Sequence, residues 1–156
     1  MRSLRKDSNG QAIPIDYILI FSMSVLFFGI MTISFSTVVD HSTQQAIHSE
    51  LKDIGNQVSF EITNAYLAIP VKGQAVSVMD IPVEAGNNAY FIDITDENSY
   101  GTGEKALRLK SVFRDVSVYV PLSSVDELVQ VNGSASSSSG KIIITSNRTG
   151  VFISQG

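Results

Sequence analysis

The chain has 156 residues, of which 44% are hydrophobic and 17% charged, with a formal net charge of −4 and no cysteine. This length suits about one domain, and the apolar content excludes an intrinsically disordered acidic protein and a collagen-like chain. Without cysteine the chain has no disulfides, thiol nucleophiles or iron–sulfur ligands. Without a basic surplus, nucleic-acid binding has no electrostatic support.

An uncharged run near the N-terminus dominates the sequence. The run extends from Tyr17 to Val39, which is 23 residues without a charge. About 20 helical residues cross the roughly 30 Å hydrocarbon core of a bilayer, and a helix satisfies its own backbone groups in lipid. A buried helix of a soluble protein is the alternative, but such helices are seldom apolar on every side over this length. We therefore predict a transmembrane helix over residues 11–39.

The flanking charges predict the orientation of this helix. Arg2, Arg5 and Lys6 precede the run, and the acidic Asp40 follows it. The positive-inside rule then places the N-terminus in the cytoplasm and the remainder outside the cell. Removal by signal peptidase is the competing interpretation. It requires an apolar region of only about 7–15 residues and small residues at the cut, which the segment 34–36 matches poorly.

A short basic leader, MRSLRKDSNG, comes immediately before the apolar helix. It ends in Asn9-Gly10, and Gln11 and Pro14 follow, with an acid at Asp16. Over residues 1–40 this arrangement resembles the class III signal peptide of type IV pilins and of archaeal pilin-like and archaellum proteins. In the archaeal version of that site Gly or Ala precedes the cut and Gln often follows it. Pro14 is similar to the proline near the start of many archaeal pilin helices.

The resemblance implies processing at the leader. In that family a membrane-embedded prepilin peptidase cuts on the cytoplasmic side and leaves the apolar helix on the mature protein. A cut between Gly10 and Gln11 would remove residues 1–10 and place Asp16 sixth, whereas the family's acid usually stands fifth. A cut after Gln11 would place it fifth but would lose the small residue before the cut. We prefer the cut after Gly10.

Asp16 has two interpretations. A carboxylate near a bilayer face is costly and usually has a partner or a function. Cleavage would create an α-amino group at Gln11, and in a packed bundle this cation could pair with Asp16 of the same or a neighbouring chain. In the pilin family such a contact is thought to guide subunit docking. The alternative is a first-turn acid at the headgroup level, where it is favourable with the helix dipole. Pro14 suits the first turn.

Residues 40–69 predict an amphipathic stalk that continues the helix. Apolar residues recur every three or four positions, as expected for one helix face. They are Ile47, Leu51, Ile54, Val58, Ile62, Ala65 and Ile69. The predicted helix extends from about Ile13 to Ala68, with Pro70 marking its end and Gly55 as a candidate weak point. The stripe could cover neighbouring subunits or the protein's own head, and we assign the second role to its outer half.

The two histidines, His41 and His48, fall on this stalk. They are seven residues apart and so share a helix face. A metal site would favour a separation of four residues and further ligands. We therefore expect solvated stalk residues and no metal site.

Residues 70–156 read as a β domain, because short runs alternate in hydrophobicity and turn residues separate them. The predicted strands are Gln74–Asp80, Asn88–Asp96, Lys105–Phe113, Asp115–Leu122, Glu127–Val131, Lys141–Thr145 and Gly150–Ser154. We predict turns at 86–88, 101–103 and 148–150. The expected fold class is therefore α+β: a long N-terminal transmembrane and stalk helix followed by an antiparallel β-sandwich-like, pilin-like head.

The Ser-rich run from Gly133 to Gly140 predicts a flexible loop tip. Two sequons flank this region, one at Asn132-Gly133-Ser134 and one at Asn147-Arg148-Thr149. Both fall in predicted loops outside the membrane, so Asn132 and Asn147 could be N-glycosylated if the cell has the machinery. Sequons also arise by chance.

No catalytic motif is visible. The sequence has no Gly-x-Ser-x-Gly, phosphate loop or Cys–His cluster, so we expect no enzymatic activity and no cofactor. Asp93, Asp96 and Glu97 form a small acidic group that could offer oxygens to calcium. Their spacing matches no defined loop, and a solvated face is the favoured interpretation.

The resemblance implies a pilin-like subunit, major or minor, of a surface filament. Its expected partners are the prepilin peptidase, other pilin-like subunits through the N-terminal helix, the membrane, and the S-layer or cell envelope. Its expected location is the cell membrane, in a single pass, and then an extracellular filament. The alternative is a permanently anchored archaellum-accessory or cell-envelope-binding protein with a β-sandwich head, which would look similar in sequence.

Overall fold

The computed structural model describes residues 12–95, 105–122, 125 and 129–156, with side chains from residue 15 onward. The elements in chain order are α1 (Ala12–Leu67), β1 (Gln74–Asp80), β2 (Tyr90–Thr95), β3 (Ala106–Ser111), β4 (Ser117–Pro121), β5 (Gln130–Ser136), a 3-10 turn (Ser137–Ser139), β6 (Lys141–Asn147) and β7 (Gly150–Gln155). The chain divides into two compact units between Ser42 and Thr43. We call the second unit, Thr43–Gly156, the head.

Helix α1 confirms the predicted helix to within a residue at each end. It spans Ala12–Leu67, and its last turn closes through bonds from Ala68 N to the Asn64 carbonyl (3.0 Å) and from Ile69 N to the Tyr66 carbonyl (3.3 Å). Pro70 follows and cannot extend the ladder because it lacks a backbone N–H. The part of α1 from Thr43 onward belongs to the head.

The strands hydrogen-bond as a seven-stranded sheet in the order β1-β6-β7-β5-β2-β3-β4. With α1, this sheet confirms the predicted α+β class. Neighbouring strands run antiparallel except β5 and β7, which run parallel. The parallel pair arises because the β6–β7 hairpin inserts β7 beside β5. The sheet is therefore mixed.

The apolar stripe of α1 packs on one face of this sheet, as assigned above. Five of its side chains are at most 6% exposed: Ile47, Leu51, Ile54, Val58 and Ile62. They join one cluster with inward-facing sheet residues, among them Tyr90, Leu107, Leu109, Ile142, Ile144 and Val151. Burying five such side chains is worth on the order of 10 kcal/mol. That is comparable with the whole stability of a typical domain, so the outer part of α1 is an integral part of the head.

One end of the sheet lies where α1 enters the head, and we call it the entry end. It carries the β1–β2 loop (81–89), the β3–β4 hairpin (112–116) and the 3-10 turn, as the strand registers require. The Glu50 carboxylate of α1 accepts a hydrogen bond from Gly86 N. The α1 residue Ile47 also contacts Gly86, where a Cβ would collide with it. Helix and sheet are thus fixed to each other at this end.

The predicted turn at 86–88 is confirmed and explains the glycine. Gly86 and Asn87 have φ values of 55° and 62°, and both central residues of a type I′ turn require positive φ. The flanking residues Ala85 and Asn88 exchange backbone hydrogen bonds of 2.9 and 3.1 Å. Asn88 Nδ2 also donates to the Gly86 carbonyl at 2.7 Å.

The Ser-rich run is not a flexible tip, and that prediction was wrong. The structure places 133–136 in β5 and Ser137–Ser139 in the 3-10 turn. Gly133 has a φ of 131° and lies so close to the backbone of Ile153 that no side chain would fit. Ser137 is fully buried, and its hydroxyl accepts a hydrogen bond from Tyr90 N at 3.0 Å. These serines and this glycine serve close packing and local bonding.

Gly55 is likewise not a weak point, because α1 continues through it. A Cβ at this position would lie 2.7 Å from Val120 Cγ2 and 2.8 Å from Leu109 Cδ1. The absence of a side chain therefore lets the helix approach β3 and β4 closely. The predicted turn at 101–103 lies outside the described residues.

Candidate membrane and assembly surface

Between Ile15 and Val39, α1 presents large apolar side chains to its surroundings in every direction. Their exposed fractions range from 47% at Val39 to 76% at Tyr17 and Met23. Successive helical residues point about 100° apart, so an unbroken apolar run covers all faces. Among the described residues this is the one helix long and apolar enough to cross a membrane, and its most apolar part is not buried at all.

Four hydroxyl groups of this segment bond to the helix itself. Hydroxyls donate to the carbonyl four residues earlier, from Ser24 to Ile20, Thr32 to Phe28, Ser34 to Ile30 and Thr37 to Ile33, at 2.8–3.1 Å. An unpaired polar group costs several kcal/mol in hydrocarbon. The donors of these four side chains are therefore already satisfied, which suits an apolar environment such as lipid or other helices.

Asp16 is the one ionisable acid between Ile15 and Val39 and is exposed on α1. Its proposed partner, the amine that cleavage would create at Gln11, lies outside the described residues, as do Gly10 and the cleavage bond. Pro14 lies within the first turn of α1, counting from Ala12, which agrees with a first-turn proline. The geometry thus leaves Asp16 accessible to a partner on another chain.

The two histidines are both exposed on α1. Within the described part of the chain, no group of three or more His, Asp or Glu side chains is arranged to hold a metal ion. Of the acidic group considered for calcium, Asp96 and Glu97 lie outside the described residues.

Asp93, the third residue of that acidic group, pairs with an arginine side chain. It lies opposite Arg108 across β2 and β3, and its carboxylate accepts two hydrogen bonds, from Nε at 3.1 Å and from Nη2 at 2.7 Å. This bond and the carboxylate charge raise the pKa of Arg108. Both side chains are partly exposed, at 25% and 36%, so the pair is a modest cross-strand contact.

The two sequons lie on the sheet face opposite α1. Asn132 is in β5, not in a loop as predicted, and its side chain is exposed beside Phe152 of β7. Asn147 ends β6, where its Oδ1 accepts from Thr149 N (2.8 Å), Thr149 Oγ1 (2.6 Å) and Gly150 N (3.1 Å). This Asx-type turn confirms the predicted tight turn at 148–150. Glycosylation of either residue remains a prediction.

Sequence reasoning missed Tyr90, the largest fully buried side chain of the core. Its hydroxyl donates to the Pro82 carbonyl at 2.6 Å, and burial raises its pKa to about 12. Tyr90 falls within the predicted strand Asn88–Asp96, but nothing local in the sequence indicates that its hydroxyl ties β2 to the β1–β2 loop. The hydroxyl of Tyr90 therefore holds the β1–β2 loop against β2 at the entry end.

The geometry defines a class: a protein with a long apolar helix and a head in which a mixed β-sheet packs on the end of that helix. The chain belongs to the family DUF7266, a family of unknown function, whose pattern it matches over residues 6–154. No curated protein matches it, and no solved structure does. The family match covers both the apolar helix and the head.

Proposed function

We propose that this protein is a type IV pilin-like subunit. Prepilin peptidase removes residues 1–10 at the cytoplasmic face, and α1 anchors the processed chain in the cell membrane. Helix α1 then assembles with other copies into a surface filament, with the head outside the cell. The observation that carries the proposal is the combination of an all-round apolar helix with a basic leader that ends in Gly10 and is followed by Gln11.

The exposed apolar surface of α1 supports this proposal. Transferring one large apolar side chain out of water is worth about 1.5–3 kcal/mol. Summed from Ile15 to Val39, the segment gains on the order of tens of kcal/mol from any apolar surrounding. Lipid and a bundle of identical helices both meet that need, so the same helix suits a membrane intermediate and a filament core.

Asp16 supplies a directional element that apolar packing lacks. Since hydrophobic contacts are non-directional, they do not fix how far one helix slides along another. A pair between Asp16 and the new amine of Gln11 on a neighbouring chain would set that register, as a buried polar contact does in coiled coils. The exposed position of Asp16 agrees with this role.

The head supplies the filament's outer surface. Its sheet face opposite α1 carries Asn132 and Asn147, so glycans attached there would project away from the helix. This face is where we place contacts with the S-layer or cell envelope.

Processing by the peptidase tests the proposal. The full chain is co-expressed with a prepilin peptidase, and the N-terminus is read by intact mass. We expect loss of residues 1–10 from the wild type, the same loss from Gly10→Ala because the small residue is kept, and no loss from Gly10→Arg. An intact wild-type N-terminus, with the head outside, would instead favour the permanent anchor named above.

A further inference from the structure

The entry end of the head carries exposed apolar side chains. Phe113, at the tip of the β3–β4 hairpin, is 78% exposed, and its neighbour Val112 is 45% exposed. Val83 in the β1–β2 loop is 51% exposed. These three apolar side chains therefore remain exposed in the folded head, and contact with an apolar surrounding would be favourable for them.

The backbone holds these side chains in place. Val112 N donates to the Ala89 carbonyl at 2.9 Å, and Ser111 N donates to the Val116 carbonyl at 3.0 Å. The first bond joins the hairpin to the β1–β2 loop, so the two loops that carry the apolar side chains are tied together. The exposure is thus built into the fold of the entry end.

The stretch of chain between the apolar segment and the entry end is short. Ile47, which contacts the entry end at Gly86, lies eight positions after Val39, the last residue of the uncharged run. Eight helical residues span about 12 Å, and even an extended chain would span less than about 30 Å. The opposite end of the head is farther along by the helix from Ile47 to Leu67, about 30 Å at helical rise.

We propose that the entry end is a membrane-contacting surface, in which Phe113, Val112 and Val83 reach the boundary between headgroups and acyl chains in the leaflet from which α1 emerges. This inference rests on the membrane anchoring in the proposed function. Aromatic and aliphatic side chains are favourable at that interface. Untethered, burial of so few side chains would bind weakly, but the anchor makes the contact intramolecular and raises the effective lipid concentration.

The sequence offers a clean reporter because it contains no tryptophan. Phe113→Trp therefore places the only tryptophan of the full chain at the hairpin tip, where it can be excited selectively. Leu67→Trp is the matched control, since Leu67 is equally exposed, at 76%, but lies at the opposite end of the head. Phe27→Trp reports on the apolar segment itself. Each variant is reconstituted into phosphatidylcholine vesicles with and without bromine on the acyl chains, which quenches tryptophan on contact.

We expect bromine to reduce the emission of the Phe27→Trp and Phe113→Trp variants, with a blue shift for both, and to leave Leu67→Trp unchanged. Quenching at position 27 without quenching at position 113 would overturn the entry-end contact and leave the anchor intact. Quenching at 67 equal to that at 113 would also overturn it, because the contact would then not be specific to this end. Absence of quenching at 27 would overturn the anchoring on which both proposals rest.

Discussion

The close approach of α1 to the sheet at Gly55 makes a specific prediction. Valine at this position adds a Cβ that would lie within 2.8 Å of both Val120 and Leu109, and two further methyl groups. Overpacking of a filled core costs about 1–3 kcal/mol. Replacing glycine by valine in a helix returns only about 0.4 kcal/mol. We therefore expect Gly55→Val to destabilise the head by about 2 kcal/mol.

The assay is thermal unfolding of the full chain in detergent. Circular dichroism monitors the transition in which the head unfolds. For a unit the size of Thr43–Gly156, a loss of about 2 kcal/mol lowers Tm by roughly 6–10 °C. The matched control is Gly29→Val, the same change in the same helix, where a Cβ would meet nothing within 4 Å. The control should unfold with the wild type. If Gly55→Val also unfolds with the wild type, the helix does not approach β3 and β4 as described.

Three further predictions concern charge and hydrogen bonding. Asp16→Asn should be processed normally yet fail to enter filaments, while Asp40→Asn assembles; normal assembly of the first variant would reduce Asp16 to a first-turn acid. The raised pKa of Tyr90, about 12 against 10 when unfolded, favours the neutral folded state, so stability should be full below pH 10 and fall from pH 10 to 12. Tyr90→Phe should flatten that fall in denaturant titrations, and an unchanged slope would contradict the assignment. A double-mutant cycle on Asp93 and Arg108 should give a coupling of about 0.5–1 kcal/mol that weakens with salt; a salt-independent coupling would contradict a partly exposed pair.

The helix and its buried face could be predicted from the sequence because periodicity reports directly on burial. Ile47 and Leu51 recur at helical spacing, and both are fully buried. The α+β class followed from the change of period after Pro70, and β1 was predicted residue for residue. These features depend on local pattern, which a single sequence contains.

The errors arose where tertiary contacts decide the role of small residues. Gly133 and Ser137 look like a loop because glycine and serine favour turns, yet their roles are set by Ile153 and Tyr90 across the sheet. Gly55 was a candidate weak point of the helix, yet its role is set by Val120 and Leu109 of the sheet. No pattern within a segment shows which element will lie against it.

The candidate site was predictable in composition but not in environment. The uncharged run and Asp16 are visible in the sequence, whereas the bonded hydroxyls and the exposed Phe113 are not. The exposure of an apolar residue in a hairpin depends on which loops lie beside it. Strands β2 and β3 separate Phe113 from Val83 in the sequence, so no local pattern shows that their loops are neighbours.

The most direct test of the central claim is whether α1 exchanges lipid for α1 of other copies. Since the chain has no cysteine, Phe28→Cys places a single thiol on the apolar helix. Cells that assemble filaments are sheared, and the released fraction is treated with a bifunctional thiol crosslinker long enough to span neighbouring helices and is compared with the membrane fraction. We expect the processed protein in the sheared fraction, with dimers crosslinked through position 28. Retention of all the protein in the membrane fraction, without crosslinks, would contradict it.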